Sequence, residues 1–119
     1  MKKKILVVDD EKEIVDFLER FLSRFNISVI KATGGKEAIE SYRQNQPDCI
    51  FLDIQMPDKD GITVLQELKE LNPAIKVIMI TGKEEQEFYK KAKKYGAVDY
   101  ITKPLDLEEL RRKVEQYVV

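Results

Sequence analysis

Five short runs of apolar residues recur along the chain, each bounded by Gly, Pro, Asn, Asp or a charged residue. All five are rich in Val and Ile, which favour β-strands. The first, third and fourth runs are almost wholly apolar, whereas the second and fifth also carry polar residues. We therefore predict five strands, with the second and fifth at the sheet edges, where one side is partly wet. The runs are KILVV (4–8), ISVIKA (27–32), CIFLDI (49–54), KVIMI (76–80) and VDYIT (98–102).

Between the strands, apolar residues recur at the spacing of amphipathic helices. The first helical pattern runs from Ile14 to Phe25, and shorter patterns follow each later strand. The third is expected to stop at Asn72-Pro73 and the fourth at Gly96. The fifth has a helix N-cap in Asp106, followed three residues later by Glu109. Five alternations of strand and helix predict a doubly wound α/β fold, a five-stranded parallel sheet with helices on both faces.

Length and composition narrow the class of protein. The 119 residues fit one domain, residues 1–119. Lys and Arg number 21 and Asp and Glu 22, so the net charge of −1 argues against direct nucleic-acid binding. The sequence starts MKKKILVVDD, and its apolar run of four residues before the two acids is too short for a signal peptide or a membrane span. We therefore expect a cytoplasmic protein without membrane association. The lone Cys49 rules out an internal disulfide, and the absence of His removes His-based catalysis.

Charged and hydroxyl side chains follow four of the predicted strands. The first strand is followed by Asp9 and Asp10, the third ends at Asp53, the fourth is followed by Thr81, and the fifth by Lys103. Because the carboxyl ends of parallel strands meet at one edge of a sheet, we expect these side chains to converge there. Three carboxylates this close repel one another unless cations or protons are present. An oxygen-rich site without His or Cys favours Mg²⁺, and so predicts phosphoryl chemistry with an Asp as covalent acceptor.

Each of these residues also has an ordinary structural interpretation. Asp10 could cap the first helix, with Glu13 completing a capping box, and this role is compatible with metal binding. Thr81 could belong only to a strand-to-helix turn, and Lys103 could be a solvated lysine. Taken together, these coincidences are improbable, and nothing local to Asp53 requires a charge at the end of an apolar strand.

Four ordered motifs, ILVVDD, LDIQMPDKDG, ITG and YITKP, resemble the receiver domain of two-component response regulators over essentially the whole chain. The resemblance implies a flavodoxin-like three-layer sandwich with strand order 2-1-3-4-5, in agreement with the edge assignment. It also implies a phosphorylation-dependent signalling switch in which Asp53 accepts a phosphoryl group from a sensor kinase phosphohistidine. Such a protein catalyses only its own phosphorylation and dephosphorylation, so it is not an enzyme acting on a separate substrate.

The resemblance assigns the metal site as well. It implies that Asp10 and Asp53 ligate Mg²⁺, that Asp9 contributes directly or through water, and that the backbone carbonyl of Gln55 is a further ligand. The side chains of Gln55 and Lys83 are expected to tune the hydrolysis rate of the acyl phosphate.

The switch is likewise implied by the resemblance. Thr81 is expected to shift toward the phosphoryl group, Lys103 to pair with it, and the Lys103–Pro104 peptide bond to be cis. Tyr100 is expected to turn inward on activation and to change the surface formed by the fourth helix, the fifth strand and the fifth helix. The implied partners are a sensor histidine kinase or phosphotransfer protein and a downstream effector or output domain. A homodimer that forms on phosphorylation is left open.

Two other functions compete with the switch. A Mg²⁺-dependent phosphatase with an Asp nucleophile would share the acidic rim, but the candidate nucleophile here follows the third strand and 119 residues leave no room for a cap domain. A receiver-like interaction module that is never phosphorylated would not need Asp10, Asp53, Thr81 and Lys103 together.

Overall fold

Strand and helix alternate along the chain as the sequence pattern predicts. The structure is a computed structural model that describes residues 2–82 and 86–119, so Lys83 lies outside the described residues. The elements are β1 (Lys3–Val8), α1 (Lys12–Ser23), β2 (Ile27–Ala32), α2 (Gly35–Asn45), β3 (Cys49–Asp53), α3 (Gly61–Leu71), β4 (Lys76–Thr81), α4 (Gln86–Lys94), β5 (Asp99–Thr102) and α5 (Leu107–Tyr117). None of the helices in the described part of the chain has both the length and the apolar composition of a membrane span.

The five strands form one parallel sheet in the order β2-β1-β3-β4-β5. The predicted fold class, strand order and edge strands are therefore confirmed. The register aligns the carboxyl ends of the central strands, because Val8 pairs with Leu52 and Thr81 pairs with Thr102. Residues that follow these strands consequently share one edge of the sheet.

Alternate residues of the strands pack against helices on opposite faces of the sheet. One apolar cluster joins Leu6 and Leu52 to helices α2, α3 and α4, and the other joins Ile5 and Phe51 to α1 and α5. Cys49 is fully buried in the second cluster, as expected of a small core residue. The central strands thus have apolar packing on both sides, which holds their carboxyl ends in fixed positions.

Several predicted boundaries were wrong by a residue or two. The third strand was predicted to include Ile54, but β3 ends at Asp53. Ile54 keeps one hydrogen bond to the neighbouring strand, from its backbone N–H to the carbonyl of Ile80. Helix α1 ends at Ser23, so Phe25 lies in the following turn, where Asn26 adopts a φ of 58°. The ring of Phe25 still packs against an α1 side chain, and for this reason it fitted the helical pattern.

The first residue of α3, Gly61, lies so close to the backbone at the end of β3 that there is no room for a side chain. A Cβ on Gly61 would collide with the backbone carbonyl of Asp53 and lie 2.8 Å from the Cα of Ile54. The Gly61 N–H also donates to the Ile54 carbonyl at 2.6 Å. Helix α3 therefore begins directly against the carboxyl end of β3, at Asp53 and Ile54.

We expect Gly61→Ala to lower the free energy of unfolding by about 2–3 kcal/mol, since backbone cannot move aside as a side chain can. Urea denaturation followed by circular dichroism measures the change. Gly34→Ala is the matched control, because the three atoms nearest to its Cβ would be side-chain atoms of Asp58, at 3.0–3.2 Å, which can shift. An equal loss in both variants would contradict the role of backbone contact.

Candidate functional site

Three carboxylates converge where β1 and β3 end. Asp9 is fully buried, Asp53 is 4% exposed, and Asp10 is exposed. One oxygen from each lies within 4.8 Å of the others. The parallel register of β1 and β3 produces this convergence, because the two strands end side by side. The structure thus brings together the three acids that the sequence placed at strand ends.

Lys103 reaches the same point from the end of β5. Its Nζ lies 3.1 Å from Oδ2 of Asp9 and 3.8 Å from Oδ2 of Asp53. A third acid, Glu11, is closer than either, with Oε1 at 2.6 Å. The Lys103–Pro104 peptide bond is cis, and the Lys103 N–H donates to the Thr81 carbonyl at 2.8 Å. Among residues 2–82 and 86–119, Lys103 is therefore the cation that pairs with the cluster, and it is shared among three acids.

Burial and mutual repulsion shift the proton affinities of these groups. Burial, followed by the charge of Asp9, raises the pKa of Asp53 to about 8, although Lys103 acts in the opposite direction. Burial also raises the pKa of Asp9. Burial alone would lower the pKa of Lys103, but the hydrogen bond to Glu11 and the charges of Asp53 and Asp9 outweigh it and raise the pKa. The raised pKa values of Asp9 and Asp53 show that burial favours their neutral forms even with the Lys103 ammonium nearby.

One buried oxygen of the cluster lacks a hydrogen bond. Oδ1 of Asp9 accepts the Glu11 N–H at 2.9 Å, whereas Oδ2 of Asp9 has no hydrogen bond of acceptable geometry among the described residues. Oδ2 lies within ion-pair distance of Lys103 Nζ, so this contact is electrostatic rather than directional. An unsatisfied buried carboxylate oxygen beside two further carboxylates fits a hard divalent cation. The donor set, oxygen alone, fits Mg²⁺.

Thr81 and Gln55 complete the rim of the site. Thr81 is fully buried at the end of β4, and its hydroxyl donates to the Gly82 carbonyl at 2.9 Å. Gln55 is exposed, and its N–H donates to Oδ1 of Asp53 at 3.4 Å. Asp10, Gln55 and Pro57 line an open hollow beside the acids. The site is therefore open to solvent on the side of Asp10.

Comparison with known proteins decides the family. The sequence profile described as the response regulator receiver domain matches residues 5–115. The chain belongs to this family. Receiver domains act as signalling switches of two-component systems rather than as conventional enzymes, and they generally bind Mg²⁺ at an acidic pocket.

Curated relatives and solved structures agree with this assignment. The receiver is 39% identical to the alkaline phosphatase synthesis transcriptional regulatory protein PhoP of Bacillus subtilis over 97% of its own length and 48% of that protein. It is 31% identical to sporulation initiation phosphotransferase F of the same species, covering 99% of this chain and 95% of that one. The receiver domain of NtrX from Brucella abortus superimposes with a TM-score of 0.90 at 34% identity, over 96% and 97% of the two chains. The receiver spans about half of PhoP and a quarter of another relative, the transcriptional regulatory protein ZraR of Escherichia coli.

The capping role considered for Asp10 was wrong. Helix α1 begins after Glu11, and the capping position forms no side-chain hydrogen bond. The side chain of Asp9 instead accepts the backbone N–H of Glu11. Asp10 is consequently exposed beside the acidic cluster and not engaged in capping the helix.

Tyr100 lies on the face of β5 that packs against α4. Its ring centroid is 4.3 Å from that of Tyr89, while the neighbouring Phe88 is 41% exposed. Asp99 connects β5 to α5, because it accepts hydrogen bonds from Lys113 Nζ at 2.6 Å and from the Tyr117 hydroxyl at 2.9 Å. Tyr100, for which the sequence predicts a switch role, is therefore in contact with α4, and the side chain of the neighbouring Asp99 is hydrogen-bonded to α5.

Asp58 is a residue of the receiver that the sequence did not single out. Its carboxylate accepts the backbone N–H groups of Gly35 at 3.0 Å and of Lys36 at 3.2 Å, at the start of α2. It also accepts the N–H of Lys59 at 2.9 Å. These backbone hydrogen bonds lower the pKa of Asp58. Asp58 thus ties the loop after Asp53 to a helix 23 positions earlier in the chain.

We expect Asp58→Ala to lower the melting temperature by about 3–6 °C, as the loss of a helix cap does in a domain of this size. The folded-state pKa is depressed, so the stabilisation is complete above the ordinary Asp pKa of about 3.9 and is lost as the pH falls through the folded-state value. The difference in melting temperature between wild type and variant should therefore shrink in acid. Asp48→Ala, another exposed Asp that accepts a backbone N–H, is the control for general loss of charge. A difference that stayed constant with pH would contradict the assignment.

Proposed function

We propose that this receiver is a switch in which Asp53 accepts a phosphoryl group from a phosphohistidine of a sensor kinase or phosphotransfer protein. The observation that supports the proposal is the gathering of Asp9, Asp10, Asp53 and Lys103 at one edge of the sheet. An open hollow lined by Asp10 and Gln55 lies next to this group, and Asp53 itself is 4% exposed.

The transfer step replaces a phosphorus–nitrogen bond of the donor with a phosphorus–oxygen bond to Asp53. A carboxylate oxygen of Asp53 attacks phosphorus, the bond between phosphorus and the donor imidazole nitrogen breaks, and its electron pair stays with the imidazole. The product is an acyl phosphate on Asp53. Hydrolysis later transfers the phosphoryl group to water and restores the carboxylate and inorganic phosphate.

Asp9, Asp10, Asp53 and the backbone carbonyl of Gln55 are the groups that would hold Mg²⁺. When bound, the ion supplies positive charge that balances the carboxylates and the oxygens of the transferred group. The acceptor needs such balance, since burial and Asp9 raise the pKa of Asp53 and so disfavour its ionised, nucleophilic form.

Lys103 and Thr81 contribute at the transferred group itself. The Lys103 ammonium, already within 4 Å of Asp53, would pair with a phosphoryl oxygen. The Thr81 hydroxyl, which donates to Gly82, would exchange that acceptor for a phosphoryl oxygen. Because Thr81 pairs with Thr102 in the sheet, such a movement would shift β5, the strand that also contains Tyr100. The surface of α4, β5 and α5 would then change its shape for an effector, and a homodimer formed on phosphorylation would use the same surface.

The partners follow from the same role. Response regulators interact with histidine kinases or phosphotransfer proteins. We assign residues 1–119 to a single receiver domain that acts on a downstream effector or an output domain. The receiver has no His among its 119 residues, so the phosphohistidine must lie outside this domain.

Incubation with acetyl phosphate and Mg²⁺ tests the proposal. Intact-protein mass spectrometry should find a gain of one phosphoryl group, which chelation of the metal abolishes. Steady hydrolysis of a generic phosphoester should be absent, and its presence would favour a phosphatase. If wild type gained no phosphoryl group, the function would instead be that of an unphosphorylated interaction module.

A further inference from the structure

Lys103 is held by an acid that is not among the three clustered carboxylates. Glu11 Oε1 lies 2.6 Å from Lys103 Nζ, whereas the nearest Asp53 oxygen lies 3.8 Å away. The Glu11 contact is a charge-assisted hydrogen bond, and the Asp53 contact is too long for one. Lys103 therefore hydrogen-bonds to Glu11, whereas its ion pair with Asp53 is longer and purely electrostatic.

The surroundings of Glu11 allow this contact to break at little cost. Its side chain is 60% exposed, so water can solvate the carboxylate when Lys103 leaves. Its backbone is fixed by the N–H bond to Asp9, and its side chain forms no cap on α1. Glu11 thus stands at a set position beside the cluster while its carboxylate remains free to turn outward.

We infer that Glu11 is a positioning residue that holds the Lys103 ammonium away from Asp53 until the phosphoryl group displaces it; the inference rests on the proposed function. A phosphoryl group carries about 1.5–2 negative charges, against one on Glu11, so it is the stronger partner for the same ammonium. The contact between Lys103 and Glu11 must break before Lys103 can pair with the phosphoryl group, and the free energy this requires opposes each phosphorylation. Glu11 therefore lowers the phosphorylation rate of the resting receiver.

The test compares Asp53 phosphorylation by acetyl phosphate at saturating Mg²⁺ in wild type, Glu11→Gln and Glu13→Gln. Gln keeps the size of Glu and removes its charge. We expect Glu11→Gln to react about two- to fivefold faster, the range that a partly exposed ion pair supports. Glu13 is exposed two residues further along, and no ion pair within the described residues includes it, so Glu13→Gln should react at the wild-type rate.

Salt separates this role from a structural one. Salt screens the ion pair of wild type, so the ratio of the two rates should fall toward one as ionic strength rises, while the melting temperatures of the variants stay close to that of wild type. An equal or slower rate in Glu11→Gln, or the same increase in Glu13→Gln, would overturn the inference and leave the proposed function standing. Absence of phosphorylation in all three proteins would overturn both.

Discussion

Asp53→Asn is expected to abolish phosphoryl uptake completely. The amide is nearly the same size as the carboxylate, so the packing of β3 is kept while the nucleophilic oxygen is lost. Asp9 cannot replace Asp53 as the phosphoryl acceptor, because its Oδ1 accepts a hydrogen bond from the Glu11 N–H and its side chain is fully buried. Mass spectrometry after incubation with acetyl phosphate and Mg²⁺ measures the loss.

Asp48→Asn is the matched control for this variant. Asp48 directly precedes β3, so the two variants remove the same charge at opposite ends of one strand. The control should gain one phosphoryl group at the wild-type rate. Phosphorylation of Asp53→Asn at another residue would show that the acceptor had been assigned wrongly.

The stability of the metal-free receiver is expected to fall as the pH rises from about 4 to about 8. The folded-state pKa of Asp53 is raised to about 8, so the folded protein holds a proton that the unfolded chain releases near its ordinary value of about 3.9. The contribution of this group to stability is complete below the unfolded-state pKa and is lost as the pH rises through the folded-state pKa. We expect a loss of about 2 kcal/mol, smaller than the full shift implies because solvent screens the open rim.

Urea denaturation at several pH values in the presence of a chelator measures this dependence. Asp53→Asn removes the titrating group, so its stability should vary much less over the same range and exceed that of wild type at pH 8. Saturating Mg²⁺ should restore wild-type stability at pH 8, because a ligand that binds only the folded state stabilises it. A metal-free wild type whose stability did not fall with pH would contradict the electrostatic conflict described for the cluster.

The sequence by itself determined the sheet and the acids at its edge. Apolar runs with Val and Ile predicted the strands, and the polar residues of the second and fifth runs placed them at the edges. Because parallel strands end at a common edge, residues immediately after strands could be expected to meet there without knowledge of any contact. Asp9, Asp53 and Lys103 were found together for this reason.

Only the tertiary structure decided which partner each charge takes. Glu11 directly follows the acid pair Asp9-Asp10, yet nothing in the neighbouring sequence predicts that a lysine 92 positions later binds it most closely. Nothing in the sequence singled out Asp58, because its hydrogen bonds to the start of α2 depend on where the loop after β3 lies relative to that helix. Periodicity reports which face of an element is buried, whereas side-chain pairing depends on distances between elements remote in sequence. Those distances exist only once the sheet and its helices have packed.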